Sequence, residues 1–448
     1  MDYKFIGVKM NAKIIAIIAV AVIAVAGVST AVVLLNKSDD YYSTNSDCRL
    51  QVLGNADKND YLDQKDVDKI NKMIEENAEY DQMADANNDK TIDSKDVEFV
   101  KKLIDLKKSN KDKKDSEKES MEVWYITADN VARIAKYPAT KIICCNTQRG
   151  LDIAINIGAQ DNIVAINKYI EDYATKCDGT YMYRKFVGMQ SIGDRGNPNL
   201  ETIAQIDADA IWAGTTKTYL KNVDAEATSY SGKTIYRFAT WENGKFTNGA
   251  LMLGFFTDKD ANAQKFVKWL DEIDKKVTDK LDKIDNKANI KFLNRNGNNY
   301  FGAQSDGVAT AMASTGATNV GNLVITDKTK SGGYIEANAE AIITNNPQYI
   351  FTTPYEYLNW DDAKVTEKFN SYSYESIKTC DAVKNNKIYL VNYELPFPII
   401  KMIVAKLLFP EEFSDFDLDD YLKQYLNGYC DLDGTGYTYN PNTFYYKP

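Results

Sequence analysis

The sequence predicts an α/β protein of two similar lobes joined by one long helix, behind a small all-α module and an N-terminal apolar segment. Three observations predict it. The segments NLETIAQIDADAI (199–211) and NAEAIITNNPQYI (338–350) lie 139 residues apart and share Asn, Glu and two Ile at identical offsets. Each reads as a short helix, a turn and a buried strand that runs into a polar loop, which predicts two lobes with a cleft between them. Between the two copies, residues 258–284 contain neither Pro nor Gly. They place Ala261, Phe266, Trp269, Leu270, Ile273, Val277, Leu281 and Ile284 at helical spacing, a single helix of roughly 40 Å. On both sides of it strands and helices alternate, the order of parallel sheets with helices on their faces.

The chain begins with an apolar run at 14–35, interrupted only by Gly27, Ser29 and Thr30. About 20 apolar residues span a bilayer core. Lys4, Lys9 and Lys13 precede the run, and Asp39 and Asp40 follow it. The positive-inside rule then leaves 1–13 in the cytoplasm and everything after the run outside. A single-pass anchor is the expectation and a cleaved signal peptide the alternative; both put the body of the protein outside the cytoplasm.

Composition narrows the function classes. The formal net charge is −10, which argues against a nucleic-acid partner, since that needs a basic face. There is no histidine, which removes Ser-His-Asp and Cys-His catalysis and His-ligated zinc or haem. No residue set suggests covalent chemistry, so an enzyme is not expected. Cys144 and Cys145 sit inside an apolar run and read as core thiols. One disulfide among Cys177, Cys380 and Cys430 is compatible with an extracytoplasmic setting.

The acid is concentrated. Residues 47–105 hold 16 acidic and 9 basic side chains, an excess that calls for bound cations. NADKNDYLDQKD (55–66) is repeated 30 residues on as DANNDKTIDSKD (85–96). Asn55, Asp57, Asn59, Asp63 and Asp66, and then Asp85, Asn87, Asp89, Asp93 and Asp96, put side-chain oxygens at positions 1, 3, 5, 9 and 12. Tyr61 and Thr91 would supply the position-7 carbonyl. That is the ligand spacing of an EF-hand-type calcium loop. An apolar stripe at helical spacing follows each loop: Val67, Ile70, Met73 and Ile74, then Val97, Val100, Leu103 and Ile104. Position 12 is Asp rather than Glu and no long helix precedes the first loop, so residues 48–106 resemble a dockerin domain. The resemblance implies two Ca2+ sites and a cohesin-like partner. The glycine usual at position 6 is replaced by Asp60 and Lys90. Residues 107–120 (KKSNKDKKDSEKES) read as a charged linker, a spacer that extends the last helix.

The large part divides into an N-lobe (121–257), the long helix (258–285) and a C-lobe (286–448). Strands are expected at 141–145, 163–166, 210–213 and 289–293. Helices are expected at 150–157 and 200–206, and the stretches 382–391 and 399–409 close the alternating pattern. Five stretches in this order resemble the helical-backbone class of solute-binding proteins that serve ABC importers: NIGAQDNIVA (156–165), IGDRGNPNLE (192–201), GATNVG (316–321), VKNNKIYLV (383–391) and AKLLFP (405–410). The likeness covers about 138–435 and implies two Rossmann-like lobes joined by one backbone helix. It also implies an iron chelate (siderophore or haem) or a corrinoid as ligand, and an ABC permease as partner.

Open α/β sheets bind at the carboxyl ends of their strands. The matching loops are 146–150, 167–169, 193–196, 214–219, 294–304, 332–334, 352–357 and 392–397. Of seven arginines, Arg149, Arg195 and Arg295 fall in them, and a guanidinium pairs well with carboxylate or phosphate. Lys168 and Lys217 would add positive potential. Tyr169, Trp241, Tyr300, Tyr334, Tyr355 and Tyr393 would offer aromatic walls. The resemblance implies that Glu201 and Glu340, one per lobe, meet arginines of the permease. A first-turn glutamate favoured by the helix dipole is the plainer account of each. The competing function is a dockerin-bearing surface scaffold whose large domain no longer feeds a transporter.

Overall fold

The computed structural model describes residues 48–176, 181–240, 245–296, 300–302, 306–324, 334–336, 338–354 and 360–448. The anchor expected at 14–35 lies outside the described residues, as do Cys177, Trp241 and Tyr355 and the side chains of Tyr300 and Tyr334. Among the described residues no helix is long and apolar enough to cross a membrane.

The small module is two helices, α1 (Gln64–Glu75) and α2 (Ser94–Asn110), each entered from an acidic loop. Asp63 and Asp93 cap them, and Asp66 and Asp96 return the bond to the cap N–H, at 2.8 and 2.9 Å. Such reciprocal capping satisfies two orphan donors at once. Val67, Ile70 and Met73 of α1 and Val97, Val100 and Leu103 of α2 are buried, while the last member of each expected stripe is not: Ile104 is half-buried and Ile74 exposed.

The stretch at 107–120 is not the expected open spacer. Residues 107–110 finish α2, and the buried Asn110 then holds both backbone groups of Glu119: Nδ2 donates to its carbonyl at 2.8 Å and Oδ1 accepts its N–H at 3.0 Å. This closes a loop that turns the chain back onto the module. The amide of Leu53 donates to the Trp124 carbonyl, and that of Ile126 to the Gln51 carbonyl, both at 2.8 Å. The module therefore packs directly on the large part.

The N-lobe opens with a hairpin the sequence reading missed, β1 (Met121–Ile126) against β2 (Ala132–Tyr137). The main sheet holds β3 (Ile142–Cys145), β4 (Ile163–Ile166), β5 (Ala210–Ala213), β6 (Ser229–Tyr230) and β7 (Lys233–Arg237) in the order β4-β3-β5-β7-β6. All pairs are parallel except the β6 edge. β3 and β5 are buried throughout, as parallel strands covered on both faces must be. The lobe's helices are α3 (Gln148–Asn156), α4 (Lys168–Lys176) and α5 (Leu200–Gln205).

Two helices follow, α6 (Phe246–Phe256) and the long α7 (Asp260–Leu281). The C-lobe then runs β8 (Lys291–Asn296), β9 (Tyr300–Gly302), α8 (Gly307–Ala313), β10 (Thr318–Asn319), α9 (Val320–Val324), β11 (Tyr334–Glu336), α10 (Ala339–Asn345) and β12 (Tyr349–Thr352). It closes with α11 (Asp362–Asn370), α12 (Asp381–Lys384), β13 (Ile388–Val391), α13 (Phe397–Leu408), α14 (Leu418–Tyr429) and β14 (Tyr445–Tyr446). Its sheet order is β11-β9-β8-β12-β13-β14, with β10 beside β8. The two repeat copies occupy equivalent places: α5 leads into β5, between β3 and β7, and α10 leads into β12, between β8 and β13. Cys144, Cys145, Cys380 and Cys430 are buried free thiols, so Cys380 and Cys430 do not form the bridge considered above.

α7 buries Ala263, Phe266, Val267, Leu270, Ile273, Val277 and Leu281. Its first turn lies so close to α6 that a Cβ on Gly254 would stand 2.4 Å from the Ala263 Cβ. The helix pair must separate to admit a methyl group there. Gly254→Ala is expected to destabilise the protein by about 1–3 kcal/mol, read as a lower midpoint in urea unfolding.

Candidate functional site

The carboxyl ends of the strands carry buried polar groups in matching positions of the two lobes. In the N-lobe Asn146 follows β3. Its Oδ1 accepts from the Thr240 hydroxyl at 3.1 Å and from the Thr147 N–H at 2.8 Å. Asn167, after β4, donates its amide to the Asn146 carbonyl at 2.7 Å. In the C-lobe Asn294 stands near the end of β8, and its Oδ1 accepts from the Thr353 hydroxyl at 3.4 Å. Asn146 and Asn294 are 1% and 0% exposed, and the Nδ2 of each is without a partner. A buried donor left unpaired costs free energy, which an acceptor from water or a ligand would offset. Sequence reasoning passed over both, because an Asn after a strand looks like any loop Asn. Arg237, at the end of β7, was missed too. It is buried, and its Nη1 donates to the Gly214 and Tyr219 carbonyls at 3.4 and 3.3 Å. Burial holds its pKa below the usual guanidinium value.

Of the residues chosen from the sequence, four come together on the N-lobe rim. The Lys168 amide donates to the Gly193 carbonyl at 2.7 Å, and the Leu220 amide to the Arg195 carbonyl at 3.0 Å, which ties loops 167–169, 193–196 and 214–220 to one another. The Arg195 guanidinium lies 4.7 Å from the centre of the Tyr169 ring and 5.5 Å from that of Tyr219. Tyr169, Lys168 and Lys217 are exposed, so the rim is cationic and aromatic.

Other chosen residues are spent on the fold. Arg149 is 2% exposed. Its Nη1 donates to the Leu395 carbonyl at 3.0 Å, its Nη2 to the Tyr393 carbonyl, and it stacks 4.4 Å from the Phe397 ring centre. It is an N-lobe cation holding a C-lobe loop. The Tyr173 hydroxyl makes a second such contact with the Glu394 carboxylate. Tyr393 is buried and donates to Asp306 at 3.2 Å. Arg295 is also buried, and it donates to the Ser373 carbonyl at 2.7 Å beside the Tyr374 ring. Tyr300 and Tyr334 lie in the backbone of β9 and β11. Glu201 and Glu340 are both exposed in the first turn of their helices, after the N-caps Asn199 and Asn338. A cavity of about 640 Å3 lies elsewhere, between the end of α3, the start of α7 and residues 426–437. It includes none of the chosen residues.

The acidic loops spend many of their oxygens on their own backbone. Asp66 Oδ1 accepts from the Asp57 N–H at 3.2 Å, and Asp96 Oδ1 from the Asn87 N–H at 3.2 Å. Asn59 Oδ1 accepts from the Tyr61 N–H at 2.6 Å, and Asp89 Oδ1 from the Thr91 N–H at 3.0 Å. Among the described residues no three acidic or cysteine side chains converge as a metal cluster. Burial pushes the Asp66 carboxyl up to about 7, against hydrogen bonds from the Asp63 and Asp57 N–H groups. Asn55 is fully buried and its Oδ1 is without a partner. A buried carboxylate and an orphaned carbonyl oxygen at loop positions 12 and 1 suit a hard cation.

Two predictions follow from the α3 side chains. Arg149→Ala removes both of these hydrogen bonds between the lobes and is expected to cost about 3 kcal/mol in urea unfolding. Arg149→Lys recovers less than half of that, because an ammonium cannot fork to both. Asp152, buried on the same helix, accepts from the Tyr183 hydroxyl at 2.8 Å, yet burial raises its pKa to about 7. The folded state therefore holds this proton more tightly than the unfolded chain. The stability it confers is full below pH 4 and is lost as pH rises through 7. Asp152→Asn is expected to raise Tm at pH 8 by about 3 °C or more and to flatten the decline between pH 4 and 7.

The fold is similar to those of several solved binding proteins. The TroA-like periplasmic binding protein FepB of Veillonella parvula is 15% identical, with a TM-score of 0.57 over 72% of this chain and 99% of that one. The molybdate periplasmic binding protein MolA of Haemophilus influenzae, bound to molybdate, is 15% identical, with a TM-score of 0.56 over 71% of this chain and 99% of that one. Helicobacter pylori CeuE, in a nickel–histidine complex, is 18% identical, with a TM-score of 0.52 over 70% and 97%. At these identities the likeness is one of fold. No curated protein sequence matches the chain. Residues 143–394, more than half of the chain, match the family model described as periplasmic binding protein, and the chain belongs to that family.

Proposed function

We propose that this protein is a membrane-anchored extracytoplasmic receptor that captures an iron chelate (siderophore or haem) or a corrinoid between its lobes and hands it to an ABC permease. The observation that carries the reading is the matched pair of asparagines at the β3 and β8 ends, Asn146, bonded to Thr240, and Asn294, bonded to Thr353. Each lobe brings one buried, unpaired amide donor to the edge where open α/β sheets take ligands. The rim of Lys168, Tyr169, Arg195 and Lys217 adds positive charge and aromatic surface. That chemistry suits a large anionic ring or a carboxylate- or catecholate-bearing chelate. The reaction is capture and release, with no bond made or broken.

Glu201 and Glu340 serve as the permease contacts in this reading. Both are exposed, and they occupy the same position of the repeated helix–strand unit. The module binds one Ca2+ in each acidic loop. Asn55, Asp57, Asn59, Tyr61, Asp63 and Asp66 hold the first ion; Asp85, Asn87, Asp89, Thr91, Asp93 and Asp96 hold the second.

The test is uptake by cells that carry the cognate permease. The double variant Glu201→Lys/Glu340→Lys is expected to abolish uptake while the purified chain keeps its affinity for the ligand. Uptake at the parental rate in the double variant contradicts the docking role.

A further inference from the structure

The two acidic loops are alike in sequence but not in surroundings. In the first, position 6 is Asp60. Its carboxylate accepts from Arg49, through Nε at 2.9 Å and through Nη2. The same guanidinium donates to both oxygens of Asp271 on α7, Nη1 at 2.8 Å and Nη2 at 2.9 Å. The Asp60 carbonyl accepts from Gln264, also on α7, at 3.1 Å. The Arg49 carbonyl accepts from Asn248 of α6 at 2.6 Å. Side chain and backbone of the first loop are thus both held by the long helix of the large part. In the second loop position 6 is Lys90, exposed at φ +72°, and its ammonium reaches only Asn88 within the loop, at 2.7 Å.

Asn55 is the independent sign that the first loop is built for a ligand. It is 0% exposed. Its Nδ2 is committed to the carbonyls of Leu50 and Asn59, both at 2.8 Å, which fixes the amide orientation. Its Oδ1 has no partner.

We infer that Arg49, Gln264 and Asp271 are positioning residues for a calcium ion in the first loop, so that filling this site and seating the module on α7 favour one another. The inference rests on the calcium reading above and goes beyond it: two of the residues that shape this loop lie more than 200 residues away. An ion drawn into the loop fixes the backbone around position 6 and so presents Asp60 to Arg49. The seat on α7 in turn holds part of the loop backbone in place, which lowers the ordering cost of gathering its oxygens around an ion. Linkage makes the two effects equal in free energy.

The experiment is calorimetric titration of the purified full chain with Ca2+, together with hydrogen exchange of α7. The parent is expected to take two ions. Asp57→Ala removes one site and Asp89→Ala the other, which assigns them. Asp271→Asn is expected to weaken the site that Asp57→Ala removes by about fivefold or more and to leave the other within error. Gln264→Ala, which changes no charge, shifts the same site in the same direction. In the parent, Ca2+ slows amide exchange around Gln264 and Asp271; in Asp57→Ala it does not. Unchanged affinity at the first site in both α7 variants overturns the linkage while leaving the calcium sites standing. Equal loss at both sites also overturns it, since that marks general damage to the module. A parent chain that takes no Ca2+ overturns the linkage and the calcium reading together.

Discussion

The burial of one face of α7 is the constraint on which the rest of this molecule depends. Ala263, Phe266, Val267, Leu270, Ile273, Val277 and Leu281 form that face, and at about 25 cal/mol per Å2 such a stripe anchors a helix firmly. Along the sides of the same helix each part of the protein finds its hold in turn. Asn262 donates to the Ile157 carbonyl of the N-lobe at 3.0 Å. Gln264 and Asp271 hold the small module. Trp269 donates to Gln424 of α14 at 3.0 Å. The buried Lys401 of α13 donates to Asp274 at 2.8 Å and to Thr278 at 2.7 Å. One straight element thus sets where both lobes and the module sit.

That arrangement explains the division of labour among the charged residues near the cleft. Two sheets whose central strands run parallel are hung on one helix, and the seam between the lobes needs internal partners. Arg149 and Tyr173 provide them from the N-lobe, meeting the backbone and carboxylate of residues 393–395. In the proposed reading, a solute meets groups that the seam does not consume: the amides of Asn146 and Asn294, and the exposed cations around Tyr169. A family of binding proteins can keep such a frame and change its ligand by changing the loops.

What was legible in the sequence had a local signature. The long helix announces itself by a 3.6-residue period without Pro or Gly, and the lobes by a repeat whose Asn and Glu mark a cap and a first turn. The two loop–helix units are legible because a twelve-residue pattern recurs with the same following stripe. The hairpin β1–β2 is not, because Glu122 and Lys136, paired with each other, break its apolar pattern. Arg149 was read as a ligand contact because position after a strand does not distinguish a side chain aimed at solvent from one stacked on Phe397. Asp271 carried no local signal at all: its meaning comes from Arg49, 222 residues away. The spacer at 107–120 was misjudged because a buried Asn110 pairing with Glu119 is invisible in composition.

The central claim is that the two lobes capture one acceptor-rich solute at their strand ends. The most direct measurement is native mass spectrometry of the purified chain after exposure to ferric siderophores, haem and cobalamin in turn, with absorbance to follow the bound chromophore. The account predicts that one class is retained at one equivalent, and that the Asn146→Ala/Asn294→Ala variant, still folded, loses it. Retention of none of them by a folded chain, or undiminished retention by that variant, would contradict it.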